Sequence, residues 1–180
     1  MIIALDGPAA SGKGTIARRL AAHFRLPHLD TGLLYRAVGA KALAEHVNFE
    51  DAAALERLAA TLDPAALDPE TLKSGAIGEA ASRVAALPGV RAKLLTLQQD
   101  FAHQPGGAVL DGRDIGTVIC PEADVKLFII ADAHARAERR ARQFAARGQA
   151  VDFETLYTQI EERDARDRAN PNGGFYPAAD

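Results

Sequence analysis

Gly7-Pro8-Ala9-Ala10-Ser11-Gly12-Lys13-Gly14-Thr15 sets two glycines and a lysine in the spacing Gly-x4-Gly-Lys. Backbone N–H groups of such a loop, and of the helix it opens, point at phosphate oxygens, while Lys13 adds a full positive charge at the terminal phosphates. The ligand this implies is a nucleoside triphosphate. The position after Lys13 is Gly14, so the hydroxyl comes one residue later than in the strict pattern, at Thr15. No Asn-Lys-x-Asp run is present to read guanine, which argues against a GTPase switch.

Two further stretches combine acids and arginines where a strand would end. In Asp30-Thr31-Gly32-Leu33-Leu34-Tyr35-Arg36, Arg36 is a candidate clamp for a second phosphate; a helix cap at Asp30 and a surface arginine are the plainer alternatives. In Asp111-Gly112-Arg113-Asp114, Asp111 follows three apolar residues and sits where an acid can orient Mg2+-bound water. Arg113 and Asp114 could equally pair with each other.

The elements that must position these residues alternate. Ile2 to Leu5 reads as a buried parallel strand ending at Asp6. Lys13 to about Phe24 reads as a helix with Ile16, Leu20 and Phe24 as its buried stripe. A short extended piece, His28-Leu29-Asp30, precedes a helix to about Ala44 whose Leu34, Val38 and Leu43 face a core. Residues 46 to 74 predict a short helix and turns, and the stretch to His103 predicts helix broken near Pro88-Gly89. Gly107 to Asp111 and Val125 to Ala131 read as strands. Asp132 is the expected N-cap of a basic helix near 133 to 147, and a second such helix starts near Asp152 after the tip at Gly148-Gln149. The turn residues Asn170 to Gly174 predict a loose end. Alternating strands and helices imply an α/β fold with a mostly parallel sheet covered on both faces.

Composition bounds the partners. The chain has 180 residues, 48% hydrophobic and 25% charged, with net charge -3, enough apolar content for one core and too little positive charge for coating nucleic acid. One cysteine, Cys120, cannot form a disulfide framework, and no Cys/His cluster has zinc-ligand spacing. No apolar run approaches the ~20 residues of a membrane helix, and the N-terminus lacks the parts of a signal peptide. A cytoplasmic monomer is expected, with no nucleic-acid or membrane partner. Arginine outnumbers lysine 16 to 5, and half of the arginines fall between 136 and 168. Guanidinium forks suit phosphates, although a solvated charged helix is the rival reading for any one of Arg139, Arg140 and Arg147. The five histidines show no catalytic spacing and read as surface or packing residues.

Taken in order, Asp6 to Thr15, Asp30 to Arg36, Ala81-Ser82-Arg83-Val84-Ala85-Ala86-Leu87-Pro88 to Arg91, Asp111-Gly112-Arg113-Asp114-Ile115-Gly116-Thr117, and Arg163-Asp164 to Asp167-Arg168 resemble the bacterial cytidylate kinases, P-loop nucleoside monophosphate kinases, over almost the whole chain. The resemblance implies a three-layer P-loop kinase fold with small helical monophosphate-binding and lid segments. It implies transfer of the γ-phosphoryl of ATP to CMP or dCMP with Mg2+. Gly7 to Thr15 would bind ATP, with Thr15 and, through water, Asp111 holding Mg2+. Ser82, Arg91 and Asp114 would hold the cytosine ring, and a carboxylate suits its exocyclic amine. Arg163 and Asp167 would lie near the sugar, Arg36 and Arg113 on the acceptor phosphate, and Thr31 beside the substrate. Lys13, Arg36, Arg113, Arg139 and Arg140 would stabilise the transferring group. Without the resemblance, Arg163 and Asp167 are an ordinary i,i+4 helical pair.

The expected organisation is one kinase domain, 1–180: core 1–45 and 104–132, monophosphate-binding segment 46–103, arginine-rich lid 139–168, and a loose or truncated C-terminus 169–180. Departures from the family pattern are Asn170 in place of a phosphate-contacting arginine, a short insert at 46 to 74, and a chain end at Pro177 to Asp180 where a final strand and helix would follow. The last predicts a truncated chain with four strands and an open sheet edge. The alternatives are another small-molecule P-loop kinase, for AMP, dTMP or shikimate, and a nucleotide-binding domain without turnover.

Overall fold

The computed structural model describes residues 1–72, 74–146, 148–170 and 175–178. Lys73, Arg147, residues 171–174 and the last two residues lie outside the described residues. The chain divides into two units, one formed by 1–28 with 108–180 and the other by 29–107.

The first unit is built on β1 (Ile2–Asp6), β3 (Ala108–Gly112) and β4 (Val125–Phe128), and the full sheet order is β2-β3-β1-β4, where β2 is His28–Asp30. β1 lies between its parallel neighbours, with Ala4 opposite Leu110 on one side and Lys126 on the other. A central strand has both faces covered, which is why β1 is a continuous apolar run and not an alternating one. Its last residue, Asp6, stands opposite Gly112 and Phe128, so β1, β3 and β4 deliver their C-terminal ends together.

α1 (Lys13–Phe24) packs on this sheet, but by a different face than its periodicity predicts. Ile16 and Phe24 are 37% and 45% exposed, and the buried positions are Ala17 and Ala21, against Ile3, Leu5 and Val109, with Leu20 alongside. Small side chains let the helix approach the strands closely, which larger residues on that face would prevent. β4 ends at Phe128, three residues short of the expected Ala131. Ile129 N still donates to Asp6 O at 2.7 Å, after which Ile130 turns outward, 77% exposed, and Asp132 caps the next helix. α6 (Ala133–Ala145) and α7 (Phe153–Ala169) each start at an aspartate whose carboxylate accepts the N–H three residues on, Asp132 from Ala135 and Asp152 from Thr155.

The second unit is helical: α2 (Thr31–Ala44), α3 (Ala52–Ala60), α4 (Gly75–Ala85) and α5 (Pro88–Ala102). Leu34 and Val38 are buried as expected, whereas Leu43 is exposed and Ala37 and Ala42 complete the inner face. α2 meets α4 at Gly39, where an added Cβ would come within 2.9 Å of Ala80 Cβ. The break between α4 and α5 falls at Ala86–Leu87, just before the expected Pro88-Gly89. Pro88 is the first residue of α5, where its missing N–H costs nothing, and Leu87 takes the extended conformation a following proline demands.

Candidate active site

In the first unit the loop from Gly7 to Gly12 joins β1 to α1 through left-handed residues. Gly7, Ala10 and Gly12 have φ of 145°, 60° and 95°. A Cβ on Gly7 would lie 2.1 Å from Ile129 O, so only glycine lets the chain leave β1 this close to the end of β4. Gly12 O accepts from Thr15 N and Ile16 N, which starts the helix and places Lys13 at its first position. A loop of this form gathers N–H groups into a concave anion cradle, reinforced by the positive end of α1.

Two arginines of α6 grip the loop from its carbonyl side. Arg139 Nη1 donates to Ala10 O at 2.7 Å and Arg136 Nη1 to Ala9 O at 3.3 Å. Ser11 Oγ is buried within the loop with no hydrogen-bond partner. An orphaned hydroxyl at this point fits a ligand rich in acceptor oxygens.

Asp111, at the end of β3, is 2% exposed. His28 Nε2 lies 2.9 Å from its Oδ1, while a Cβ on Gly14 would lie 3.4 Å from its Oδ2. The Asp111 carboxylate thus lies against Gly14 in the first turn of α1. Asp111 and the exposed Thr15 hydroxyl offer hard oxygen donors, the chemistry that suits Mg2+. His28 departs from the expectation that the histidines do packing or surface work alone, since it orients this acid.

Asp6 organises the segment that follows β3 in the same unit. Its two carboxylate oxygens each accept a backbone N–H, from Ile115 and Gly116, at 2.8 Å. These bonds hold a π-helical turn, Ile115–Ile119, in which Cys120 N donates to Ile115 O, and Asp114 is its N-terminal flank. Burial pushes the Asp6 carboxyl up to about 6, against the lowering effect of the Gly116 and Ile115 N–H groups; nearby Asp114 raises it further and Lys13 lowers it.

Arg113 finds its carboxylate on α7: Nε donates to Asp167 Oδ2 at 2.8 Å and Nη1 to Gly112 O at 3.2 Å. Pairing with the neighbouring Asp114 is therefore not the arrangement adopted, and Asp167 takes a partner 54 residues away. One turn earlier on α7, the buried Asp164 receives both guanidinium nitrogens of Arg136, at 3.0 and 2.5 Å. Arg163 is partly buried on the same helix, and Arg140 stacks its guanidinium over Phe144 at 5.1 Å.

The second unit carries the remaining expected residues. Thr31 is buried at the start of α2, where Asp30 caps the helix by accepting from Gly32 N. Arg36 Nη1 donates to Leu72 O at 2.8 Å and its guanidinium packs against Gly78. Ser82 is partly buried on α4, and Arg91 near the start of α5 reaches Ala85 O at 3.5 Å with its guanidinium 6.0 Å from the Tyr35 ring centre.

Asp6, His28, Arg136 and Asp164 are contributors that sequence spacing did not single out. A polar residue contributes no periodic signal of its own, so their partners become visible only once the chain is folded. Among the described residues no helix is long and apolar enough to cross a membrane.

Comparison with known proteins bears on the whole arrangement. Residues 3–180 match the family described as Cytidylate kinase. The chain is 61% identical over 180 residues to the cytidylate kinase of Xanthobacter autotrophicus, covering all of this chain and 86% of that one. It is 60% identical over 167 residues to that of Azorhizobium caulinodans and 59% identical over 167 residues to that of a Methylobacterium species, in both cases covering 93% of this chain and 81% and 80% of theirs. A crystal structure of an uncharacterized protein from Eubacterium ventriosum is similar with a TM-score of 0.54 at 16% identity, over all of this chain and 81% of that one, which is a likeness of fold.

Proposed function

The chain belongs to the cytidylate kinase family, and on that premise we propose that it transfers the γ-phosphoryl group of ATP to CMP or dCMP, giving CDP or dCDP. The observation that carries the reading is the strand–loop–helix from Ile2 to Phe24, with its left-handed residues at Gly7, Ala10 and Gly12 and Lys13 at the mouth of α1. Phosphoryl transfer of this kind asks the protein for in-line positioning and for positive charge on the equatorial oxygens, with no covalent step.

Gly7 to Thr15 cradle the ATP phosphates through backbone N–H groups, and Lys13 reaches the terminal ones. Thr15 and, through water, Asp111 would hold Mg2+, which would supply neutralisation of the charge that develops on the transferring group. Arg36 and Arg113 take the acceptor phosphate, and Arg139 and Arg140 act on the transferring group. For Arg139 this requires release from Ala10 O, a bond that MgATP would compete for. Ser82, Arg91 and Asp114 read the cytosine, and Arg163 and Asp167 the sugar. A site with fixed polar partners for cytosine leaves them unpaired against uracil, so UMP is a poor acceptor. We place the protein in the cytoplasm as a monomer acting on small molecules.

The test is an ADP-release assay with MgATP and each of CMP, dCMP, UMP, AMP and dTMP, beside an acceptor-free control. Activity confined mainly to the cytidine nucleotides is expected. Acceptance of AMP or dTMP with none of CMP would move the protein to another acceptor, and silence with all five would leave a nucleotide-binding domain without turnover.

A further inference from the structure

We infer that Arg136 and Asp164 are positioning residues for the phosphate-binding loop, setting the direction of the Ala10 N–H without touching substrate. The inference rests on the reading above that this loop holds ATP.

Both side chains are almost fully enclosed, at 3% and 4% exposure. The Arg136 fork spends its donors on three separate parts of the first unit: the Asp164 carboxylate on α7, Ala9 O in the loop, and, through Nε at 3.3 Å, Asp132 O at the start of α6. Arg139, three residues along the same helix, holds the next carbonyl, Ala10 O. In a trans peptide the carbonyl and the N–H point to opposite sides. Holding Ala9 O outward therefore turns the N–H of Ala10 the other way, into the cradle, while Ser11 N donates to Pro8 O at 3.4 Å. Ala10 has a left-handed backbone without being glycine, a conformation that needs such outside support.

Asp164 gives the device its reach. Asp164 and Asp167 lie three apart on α7, so they share a face; one holds the arginine that grips the loop and the other holds Arg113. A single rigid helix thus fixes the donor-side loop and an acceptor-side arginine to each other. A buried ion pair is poor evidence of stabilisation, because desolvation offsets its attraction and an apolar pair of similar size often serves the fold as well. Its value here is directional, since no apolar pair can donate to Ala9 O.

That difference supplies the experiment. The double variant Arg136→Met with Asp164→Leu removes both charges together, leaving none unpaired. Unfolding midpoint, equilibrium titration with MgATP in the absence of acceptor, and KM and kcat for each substrate are measured for it and for the wild type. The expected result is a folded protein whose MgATP Kd and ATP KM rise about tenfold or more, because a loop displaced by a fraction of an ångström loses oriented contacts, while the KM for CMP changes by less than about twofold. A folded double variant with the wild-type MgATP Kd would overturn the inference. Should that variant not fold, Arg136→Lys decides: it keeps a charge opposite Asp164 but lacks the fork that also reaches Ala9 O, so the same ATP-specific weakening is expected and an unchanged Kd would overturn the inference. A wild type that neither binds MgATP nor transfers phosphate would instead remove the kinase reading itself, and this inference with it.

Discussion

Asp6 offers the most complete prediction, because its environment fixes both a sign and a size. Its carboxyl lies at about 6 in the folded protein against 3.8 as the ordinary value, with burial as the main cause. Between about pH 4 and pH 6 the folded chain keeps a proton that the unfolded chain has lost. This group's contribution to stability is therefore fully present below about pH 4 and is lost as pH rises through 6. The displacement corresponds to about 3 kcal/mol. Asp6→Asn cannot titrate, and it also turns an amide nitrogen toward either Ile115 N or Gly116 N, an offset of about 1–3 kcal/mol that does not depend on pH. Urea unfolding of both proteins at pH 4, 5, 6 and 7 isolates the term, since every other titrating group is common to the pair. The stability advantage of wild type over Asp6→Asn should shrink by about 2 kcal/mol from pH 4 to pH 7, the rest of the displacement falling below pH 4. A difference that stays constant across that range, or that widens, would refute the account of Asp6 as a carboxylate ionising against its burial.

Lys13→Ala should lower kcat at least about 100-fold while leaving the KM for CMP within a small factor, read by steady-state kinetics with CMP varied at saturating ATP. Arg91→Ala and Asp114→Ala should each lower the ratio of kcat/KM for CMP over UMP by about tenfold or more; equal losses for both nucleotides would remove these residues from base reading. Gly39→Ala pushes a Cβ to 2.9 Å from Ala80 Cβ and 3.0 Å from Ala81 N across the α2–α4 contact, and should cost about 1–3 kcal/mol in urea unfolding. Gly7→Ala should be worse, because its Cβ would meet a backbone oxygen, Ile129 O, that cannot move without breaking the bond from Ile129 N to Asp6 O. Loss of MgATP binding on titration checks it.

Much of the fold was legible in local pattern. A buried parallel strand announces itself as an unbroken apolar run, and a glycine loop opening a helix announces a phosphate cradle, because both depend on residues adjacent in the chain. The helix starts at Asp30, Asp132 and Asp152 were of the same kind, since a cap joins a side chain to an N–H two or three residues on. The buried face of α1 was not legible: Ile16 and Phe24 have the spacing of a core stripe, yet the close approach of helix to sheet selects Ala17 and Ala21. The end of β4 was missed for a related reason, as Ile130 is apolar but lies beyond the last strand pairing.

The chemistry-bearing residues divide in the same way. Gly7 to Thr15, Arg113 and Asp114 could be named as candidates from the sequence because of their order and neighbours. Which carboxylate each arginine would meet could not. Arg113 passes over the adjacent Asp114 for Asp167, Arg136 reaches Asp164 and Ala9 O, and Asp6 accepts from Ile115 and Gly116 more than a hundred residues away. Hydrogen bonds act over about 3 Å whatever the separation along the chain, and polar residues leave no periodic trace of a distant partner. Sequence thus determined the family and the candidate residues of its site, and tertiary packing alone decided which side chains hold one another.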